Sequence, residues 1–385
     1  MNQAAMNQTQ TTAEQPAGRE PAPTGETSQG RPSKGPGRRV TITDVARAAG
    51  VSIKTVSNVL NETGSMRPET RERVKAAMRD LGYRLNVSAR AMKAGRTNLI
   101  GLALGGFDQP FMPYLADSVI AAARDRGYGV ITDTYGERPI EELVDETYRL
   151  GADGWVFFAA HGYRPGARVL DQPYPVVTLG DFDPAPSGSL ADWVTMPNTE
   201  AMRALTGRLL DGGARTIALM GTCLPENTEA EQRRLLERVD GATAKRVRGF
   251  VQAFHDRGLE PDWRYMDTPS SWSRAGGAQG VRHLLASGLA MPDAIMCLND
   301  ASALGVIAEL QRQGVQVPGD VQVTGFDNVP EAEFSMPALT TVDPKVADYA
   351  RYAVDMLIER LEGFDGPART RVTDYRIVER ASTTR

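Results

Sequence analysis

From Leu99 onward, short apolar runs alternate with longer stretches in which apolar residues recur at helical spacing. The runs predict strands over Leu99–Leu104, Gly129–Thr132, Gly154–Phe158, Val176–Leu179, Trp193–Met196, Thr216–Met220, Tyr265–Met266, Ala294–Leu298, Val321–Phe326 and Tyr375–Val378. The stretches predict helices near 113–126, 138–150, 200–211, 240–257, 273–287, 300–313 and 344–362. Strand–helix alternation implies parallel sheets covered by helices. Because the series occurs twice, we predict an α/β fold with two doubly wound lobes.

Three short amphipathic patterns precede this region. The predicted helices are Ile42–Ala49, Ile53–Leu60 and Pro68–Leu81. Thr41 and Ser52 are suited to cap the first two helices, and Gly50 between them breaks the chain. Pro68 suits the first turn of the third helix. Two short helices joined by a tight turn, with a third behind them, predict an all-α helix-turn-helix module.

Composition excludes several classes of protein. The 385 residues suit two or three domains, and their 41% hydrophobic content is ordinary for globular proteins. No apolar run reaches the roughly 18 residues that a membrane span needs, and no secretory signal begins the chain. Two cysteines allow no disulfide framework, so a reduced, cytoplasmic setting is expected. Three scattered histidines indicate neither a metal site nor a catalytic triad.

Charge is unevenly distributed along the chain. Between Arg31 and Arg96, 15 basic residues outnumber 5 acidic ones, which gives +10 in a chain whose net charge is −4. The remainder therefore sums to −14. A basic module joined to an acidic body indicates a polyanionic partner. The alternative, a solvated helix surface, explains the charge but not the helix-turn-helix pattern inside the window.

The second helix of such a module lies in the major groove, where its early side chains meet base edges. Lys54 can donate to guanine, Asn58 can pair with adenine, and Ile53 can contact a thymine methyl group. Ser52 and Thr55 suit phosphate contacts. The residues of this segment predicted to contact DNA are Thr41, Ser52, Ile53, Lys54, Thr55, Ser57 and Asn58.

These residues resemble a known headpiece. The stretch Val40–Asn61, followed by Pro68–Val74, Leu81-Gly-Tyr83 and Asn86, closely resembles the DNA-binding headpiece of the lactose-repressor family of bacterial transcription regulators. The resemblance extends from about Val40 to the C-terminal strand. It implies a hinge helix over Asn86–Gly95, in which Met92 wedges into the minor groove and Ala89 packs beside it.

The resemblance also divides the chain into segments and implies a fold for the largest of them. We expect a disordered tail over 1–38, which is rich in Gln, Thr, Pro, Gly and Ser, and a headpiece over 39–85. A hinge follows over 86–97, and 98–385 forms a core that resembles periplasmic binding proteins and mediates dimerisation. Ligands of such folds bind at the carboxyl ends of the strands.

Candidate effector contacts follow several of the predicted strands and helices. The favoured candidates are Phe111, which follows the first predicted strand, and Arg246, Trp272, Asn299 and Asp327, which match cleft segments of the family. Asp108, Asp300, Asn328 and Asp343 are weaker candidates. For each of them, the alternative is a helix cap or an ion pair at a strand end. Carboxylates and amides in a cleft suit a sugar or sugar-like polyol, although nucleobases and phosphosugars stay open.

Three departures from the family pattern bear on specificity. Many relatives carry Arg at the position of Asn58 and Pro at that of Leu85, which alters the expected base preference and the entry to the hinge. Many also carry Asp-Arg where this chain has Gly180-Asp181, so the cleft wall differs.

The resemblance implies a homodimer that binds a near-palindromic operator, most simply as a repressor. An effector bound between the lobes would switch its affinity for the operator. The sequence does not fix whether the effector induces or corepresses. The absence of a C-terminal heptad extension favours a dimer over a tetramer. A solute-binding transport component explains the lobes but not the headpiece. An enzyme is disfavoured because no Gly-Lys-Ser/Thr follows Gly101–Gly106 and no Gly-x-Ser-x-Gly elbow occurs. No cofactor, metal or membrane partner is expected.

Overall fold

The computed structural model describes residues 40–61, 63–84, 95–136, 138, 140–159, 170–222, 224, 226–266 and 271–384. These residues fall into two compact units that divide near residue 86. We call the first unit the headpiece and the second the core domain.

The headpiece consists of α1 (Ile42–Ala49), α2 (Ile53–Leu60) and α3 (Pro68–Leu81), as the apolar periodicity predicts. Gly50 and Gly82 end α1 and α3 in the left-handed conformation, with φ near 62° and 63°. A small apolar core joins the three helices and contains Val45, Val56 and Val74, all fully buried.

The first lobe of the core domain is a six-stranded parallel sheet with strand order β10-β5-β4-β3-β1-β2. Its strands are β1 (Leu99–Leu104), β2 (Gly129–Thr134), β3 (Gly154–Ala159), β4 (Val176–Gly180), β5 (Asp192–Thr195) and β10 (Thr370–Val372). The helices of this lobe are α4 (Phe111–Asp125), α5 (Ile140–Leu150) and α12 (Val346–Leu361). β1, β3 and β4 are almost wholly buried, as expected of central parallel strands.

The second lobe is a five-stranded sheet with strand order β11-β9-β8-β7-β6, in which only β11 runs antiparallel. Its strands are β6 (Ile217–Met220), β7 (Ala294–Cys297), β8 (Gln322–Phe326), β9 (Thr340–Asp343) and β11 (Arg376–Val378). The helices are α6 (Asn198–Asp211), α7 (Glu229–Glu237), α8 (Ala242–His255), α9 (Arg274–Ala286), α10 (Asp300–Arg312) and the short α11 (Glu331–Phe334).

The described chain passes between the lobes after β5, after β9 and after β10. The predicted α/β fold is therefore correct, and three passages of the described chain link its two lobes. This connectivity places the carboxyl ends of both sheets around a shared cleft, which polar residues such as Asp181 and Asn299 line directly after their strands.

One predicted strand is wrong. Trp263–Tyr265 forms a 3₁₀ turn, which Asp262 caps by accepting a hydrogen bond from the amide of Arg264. Only Met266 pairs with the sheet, through a single bridge to Leu219. The apolar residues Tyr265 and Met266 are buried, as strand residues would be. Their backbone amides, however, donate hydrogen bonds within the turn. The sequence interpretation also missed β9, β10, α7 and α11, all of which are short or edge elements.

Candidate DNA interface and effector cleft

Side-chain caps fix the starts of α1 and α2. The Thr41 hydroxyl accepts from the amide of Asp44, whose carboxylate accepts in return from the Thr41 amide at 3.0 Å. Ser52 Oγ accepts from the amide of Thr55 at 3.1 Å and so begins α2. The predicted contacts Thr41, Ser52 and Thr55 thus lie at the two helix starts.

The first turn of α2 presents side chains away from the headpiece core. Ile53 is 48% exposed although it is apolar, and Lys54 beside it is also exposed. Ser57 and Asn58 are half-buried, and Ser57 Oγ accepts from Asn61 Nδ2. The helix therefore offers an apolar group and an ammonium group together, which suits the major-groove edge of a base pair. The two predicted hinge contacts, Ala89 and Met92, and the departure Leu85 lie outside the described residues.

The core domain contains a cavity of about 260 Å³ between its lobes. Its wall includes all five residues that the sequence analysis favoured for the effector, together with Asp108. Those five are Phe111, Arg246, Trp272, Asn299 and Asp327. The strand-end residues that the sequence analysis named as weaker candidates are placed elsewhere, except Asp108.

The three residues outside the cavity wall have structural partners. Asp300 is fully buried and accepts from Thr341 Oγ1 at 2.6 Å and from the Val329 amide at 2.9 Å. Asp343 accepts from Arg376 Nε at 2.9 Å. Asn328 accepts from Arg380 Nη2 at 2.9 Å. Each is thus held at a strand end, which is the alternative that the sequence left open.

Arg246 lies at the centre of the cleft and is almost fully buried. Its Nε donates to Asn198 Oδ1 at 2.7 Å, Nη1 donates to the Leu298 carbonyl oxygen, and Nη2 faces Asp327 Oδ1 at 3.5 Å. Its guanidinium lies 3.6 Å from the Phe326 ring centroid, which is a cation–π distance. Burial lowers the pKa of Arg246, and the nearby carboxylates oppose that shift.

Asp327 is 5% exposed and has a backbone φ of 117°. Burial raises the pKa of Asp327 to about 7, while the charge of Arg246 acts in the opposite direction. Burial, followed by the charge of Asp327, raises the pKa of Asp300 well above its ordinary value. Two neighbouring carboxyl groups in one buried site disfavour double ionisation, so this end of the cleft carries less negative charge at neutral pH than its residue count suggests.

Asn299 and Trp272 are held by the protein on one side and border the cavity on the other. Asn299 Oδ1 caps α10 by accepting from the Ser302 amide, and its Nδ2 donates to the Trp272 carbonyl oxygen at 3.0 Å. Trp272 Nε1 donates to the Gly221 carbonyl oxygen at 3.0 Å, and the Arg246 guanidinium lies 5.0 Å from its ring. The indole is thereby fixed as one face of the cavity.

Two further lining residues were not named as effector contacts in the sequence analysis. Asp181, after β4, accepts through Oδ1 from Asn198 Nδ2 at 2.6 Å and from Lys245 Nζ at 3.4 Å. The Asp181 carbonyl oxygen also accepts from the Gly241 amide, so it joins the first lobe to the start of α8. The buried Tyr349 of α12 borders the cavity as well. Asp181 was visible as a departure from the family pattern, whereas Tyr349 looks like an ordinary core residue in the sequence.

Gly180 lies where the cleft wall departs from the family pattern. Its φ is 117°, and a Cβ atom there would lie 2.7 Å from the Ala159 carbonyl oxygen. A side chain at Gly180 would therefore be strained in two ways. The acidic side chain of this wall comes from the next residue, Asp181.

Among the described residues, no group of acidic, histidine and cysteine side chains has the arrangement of a metal site. The helices that the structure describes include none that is long and apolar enough to cross a membrane.

Comparison with known proteins agrees with this architecture. Residues 41–86 match the family described as "Bacterial regulatory proteins, lacI family", and residues 206–383 match a periplasmic binding protein-like domain. A solved LacI-type transcription regulator from Bifidobacterium animalis subsp. lactis is 44% identical, with a TM-score of 0.69; the match covers 74% of this chain and 99% of that one.

Two further relatives share less sequence. The "Ribose operon repressor" of Escherichia coli is 29% identical over 323 residues, which cover 83% of this chain and 93% of the repressor. A structure described as "transcriptional regulator CelR-cellobiose complex" is 27% identical with a TM-score of 0.63, covering 89% of this chain and all of that one. The chain belongs to the lacI family of bacterial regulatory proteins, and it is a DNA-binding transcription regulator and not an enzyme.

Proposed function

We propose that the protein is a repressor whose operator affinity is switched by a sugar or sugar-like polyol bound in the cleft cavity. The observation that carries this proposal is the cavity itself, which both lobes enclose and into which aromatic and hydrogen-bonding side chains converge. Aromatic faces with a few fixed polar groups suit polyol recognition. One relative is named as a ribose operon repressor, and the structure of another is described as a complex with cellobiose. Both support a sugar as the ligand.

Polar contacts across the cleft provide the means of switching. Asn198, at the passage from β5 to α6, donates to Asp181 and accepts from Arg246, and Arg246 in turn faces Asp327. A ligand that exchanges hydrogen bonds with this chain of groups changes the relative stability of two lobe arrangements. The ligand and the operator then alter each other's affinity by the same factor.

Each segment predicted from the sequence has its own proposed role. Residues 1–38 form a tail, 39–85 read the major groove, 86–97 form the hinge with Ala89 and Met92 at the minor groove, and 98–385 bind the effector and dimerise. Two apolar side chains of the second lobe support a self-contact, because Phe334 is 82% and Met336 80% exposed. A homodimer would place two copies of α2 on a near-palindromic operator.

Selection of bound duplexes from a random DNA pool tests the proposal on the full-length protein. We expect two inverted half-sites about one helical turn apart. The selection is repeated with Lys54→Ala and with Lys75→Ala, which removes the same charge from α3. Only Lys54→Ala should change the recovered half-site. The absence of an enriched sequence, with and without a mixture of sugars, would contradict the proposal.

A further inference from the structure

We propose that the cavity selects an uncharged or amino-bearing polyol of monosaccharide size and rejects its phosphate ester, and that Asp181 sets this selection. The inference rests on the proposed function and narrows its ligand. It starts from the charges of the cavity wall, where three carboxylates and the partly protonated Asp327 face two guanidinium groups. These side chains are Asp108, Asp181, Asp240, Asp327, Arg238 and Arg246.

The buried guanidinium cannot readily receive a phosphate group. All three nitrogen atoms of Arg246 already have protein partners, namely Asn198, the Leu298 carbonyl group and Asp327. A phosphate dianion would have to displace Asp327 and lie beside a carboxyl group in the same buried pocket. Arg238, the other cation of the wall, is exposed, and its strongly screened charge would attract an anion only weakly.

Asp181 places an acceptor where a ligand can reach it. Its Oδ1 accepts from Thr195, Asn198 and Lys245, whereas none of the described residues donates a hydrogen bond to Oδ2. The side chain is 14% exposed, and the residue borders the cavity. A ligand hydroxyl or ammonium group can donate to this oxygen, whereas a phosphate dianion has no proton to donate and is repelled.

Lys245, the cationic partner of Asp181, does not make this part of the cavity wall positively charged. Lys245 Nζ lies 3.4 Å from Oδ1, also donates to the Asp181 carbonyl oxygen, and lies 5.1 Å from the ring of Trp193. The ammonium group is thus held against the first lobe. Replacing Asp181 by Asn would keep the shape and the Oδ1 acceptor but would leave Lys245 without its counter-charge.

The size of the cavity limits the ligand. A volume of about 260 Å³ lies just below the roughly 300–1,000 Å³ of pockets that hold drug-sized molecules. One sugar ring with its hydroxyl groups is therefore a suitable match for this volume.

The test uses matched ligands and two isosteric variants of the full-length protein. Calorimetric titration compares D-glucose, D-glucosamine and D-glucose 6-phosphate, and likewise D-ribose with D-ribose 5-phosphate and a set of other monosaccharides with their phosphate esters. For every sugar that binds, we expect its ester to bind at least roughly 100-fold more weakly, given like charges a few ångströms apart in a partly buried site. In Asp181→Asn this difference should shrink at least tenfold. The control Asp183→Asn, two residues further on and outside the cavity wall, should keep it.

The outcomes separate the two proposals. A phosphate ester that binds more tightly than its parent sugar, or an unchanged preference in Asp181→Asn, would overturn the charge selection while the sugar-responsive repressor stands. If no member of any pair binds although the operator is bound normally, the sugar assignment falls and the charge selection falls with it.

Discussion

Replacing Asp327 by Asn isolates the charge at the centre of the cleft. The carboxylate faces Arg246 Nη2 at 3.5 Å, and both side chains are buried. The φ of 117° is unfavourable for most residues with a Cβ atom, and Asn tolerates positive φ better than Ala does. Asp327→Asn therefore removes the charge with little change of size or backbone.

The expected effect on the effector follows from the strength of a charged hydrogen bond. Such a bond contributes about 1.5–3 kcal/mol, which corresponds to roughly a 10- to 150-fold weaker ligand affinity. Loss of one partner from a buried ion pair destabilises a protein by about 3–5 kcal/mol. We expect a smaller loss here, since Asn keeps an acceptor for Arg246 and replaces a carboxyl group whose ionisation the buried site already disfavours. Operator binding without ligand should stay within about twofold, because the substitution lies in the core domain.

The assay is fluorescence anisotropy of labelled operator, titrated with the sugar that binds most tightly in the panel above. Asp117→Asn, on the exposed side of α4, provides the control and should respond like the original protein. Urea unfolding measures the stability loss separately. A normal ligand midpoint in Asp327→Asn would refute the assignment of this carboxylate to the site.

Three further predictions concern the headpiece, the helix packing and pH. Lys54→Ala should weaken specific operator binding by about 1–3 kcal/mol and relax one base position in each half-site, measured by selection from a random pool. Gly249→Ala should lower the free energy of unfolding by about 1–3 kcal/mol in urea, because its Cβ would lie 2.2 Å from the Thr199 carbonyl oxygen, between α8 and α6. The melting temperature of the core domain should fall as pH rises from about 5 to 8. The pKa of Asp327 is about 7 in the folded state and near 3.8 when unfolded, so the folded state holds the extra proton and loses that advantage as pH passes the folded value.

These three predictions have distinct refutations. An unchanged base preference in Lys54→Ala would mean that this helix face does not read the operator. An unfolding free energy in Gly249→Ala equal to that of the original chain would mean that the α6–α8 contact is looser than described. The pH slope should be shallower in Asp327→Asn, and an equal slope would place the titrating group elsewhere.

Local signals made the headpiece predictable. Thr41 and Ser52 cap their helices, and Gly50 ends α1, through contacts within a few residues of sequence. The sequence alone could therefore give the bounds of α1 and α2. The strand-end residue Asn299 was found for a related reason, since a polar residue that follows a buried parallel strand lies at the sheet edge where ligands bind.

The rest of the cleft depends on contacts between distant parts of the chain. Tyr349 reaches the cavity because α12 returns to the first lobe after β9, and its own helix gives no sign of this. Asp181 gains its role from Asn198 on α6 and Lys245 on α8, both in the part of the chain that follows the passage after β5. Short edge elements such as β10 form by pairing with a partner far away in sequence, here β5.

The most direct test of the account measures ligand affinity with and without saturating operator. If the cleft cavity and the headpiece are coupled, operator must change the ligand dissociation constant by the same factor by which ligand changes the operator dissociation constant. We predict equal factors of roughly 5- to 150-fold in the original protein. In Asp327→Asn the same ligand concentrations should leave the operator dissociation constant nearly unchanged, because the weakened ligand no longer fills the cavity. A ligand that binds the cavity with the same affinity whether or not operator is present would contradict the account, because the protein would then bind both partners without being switched.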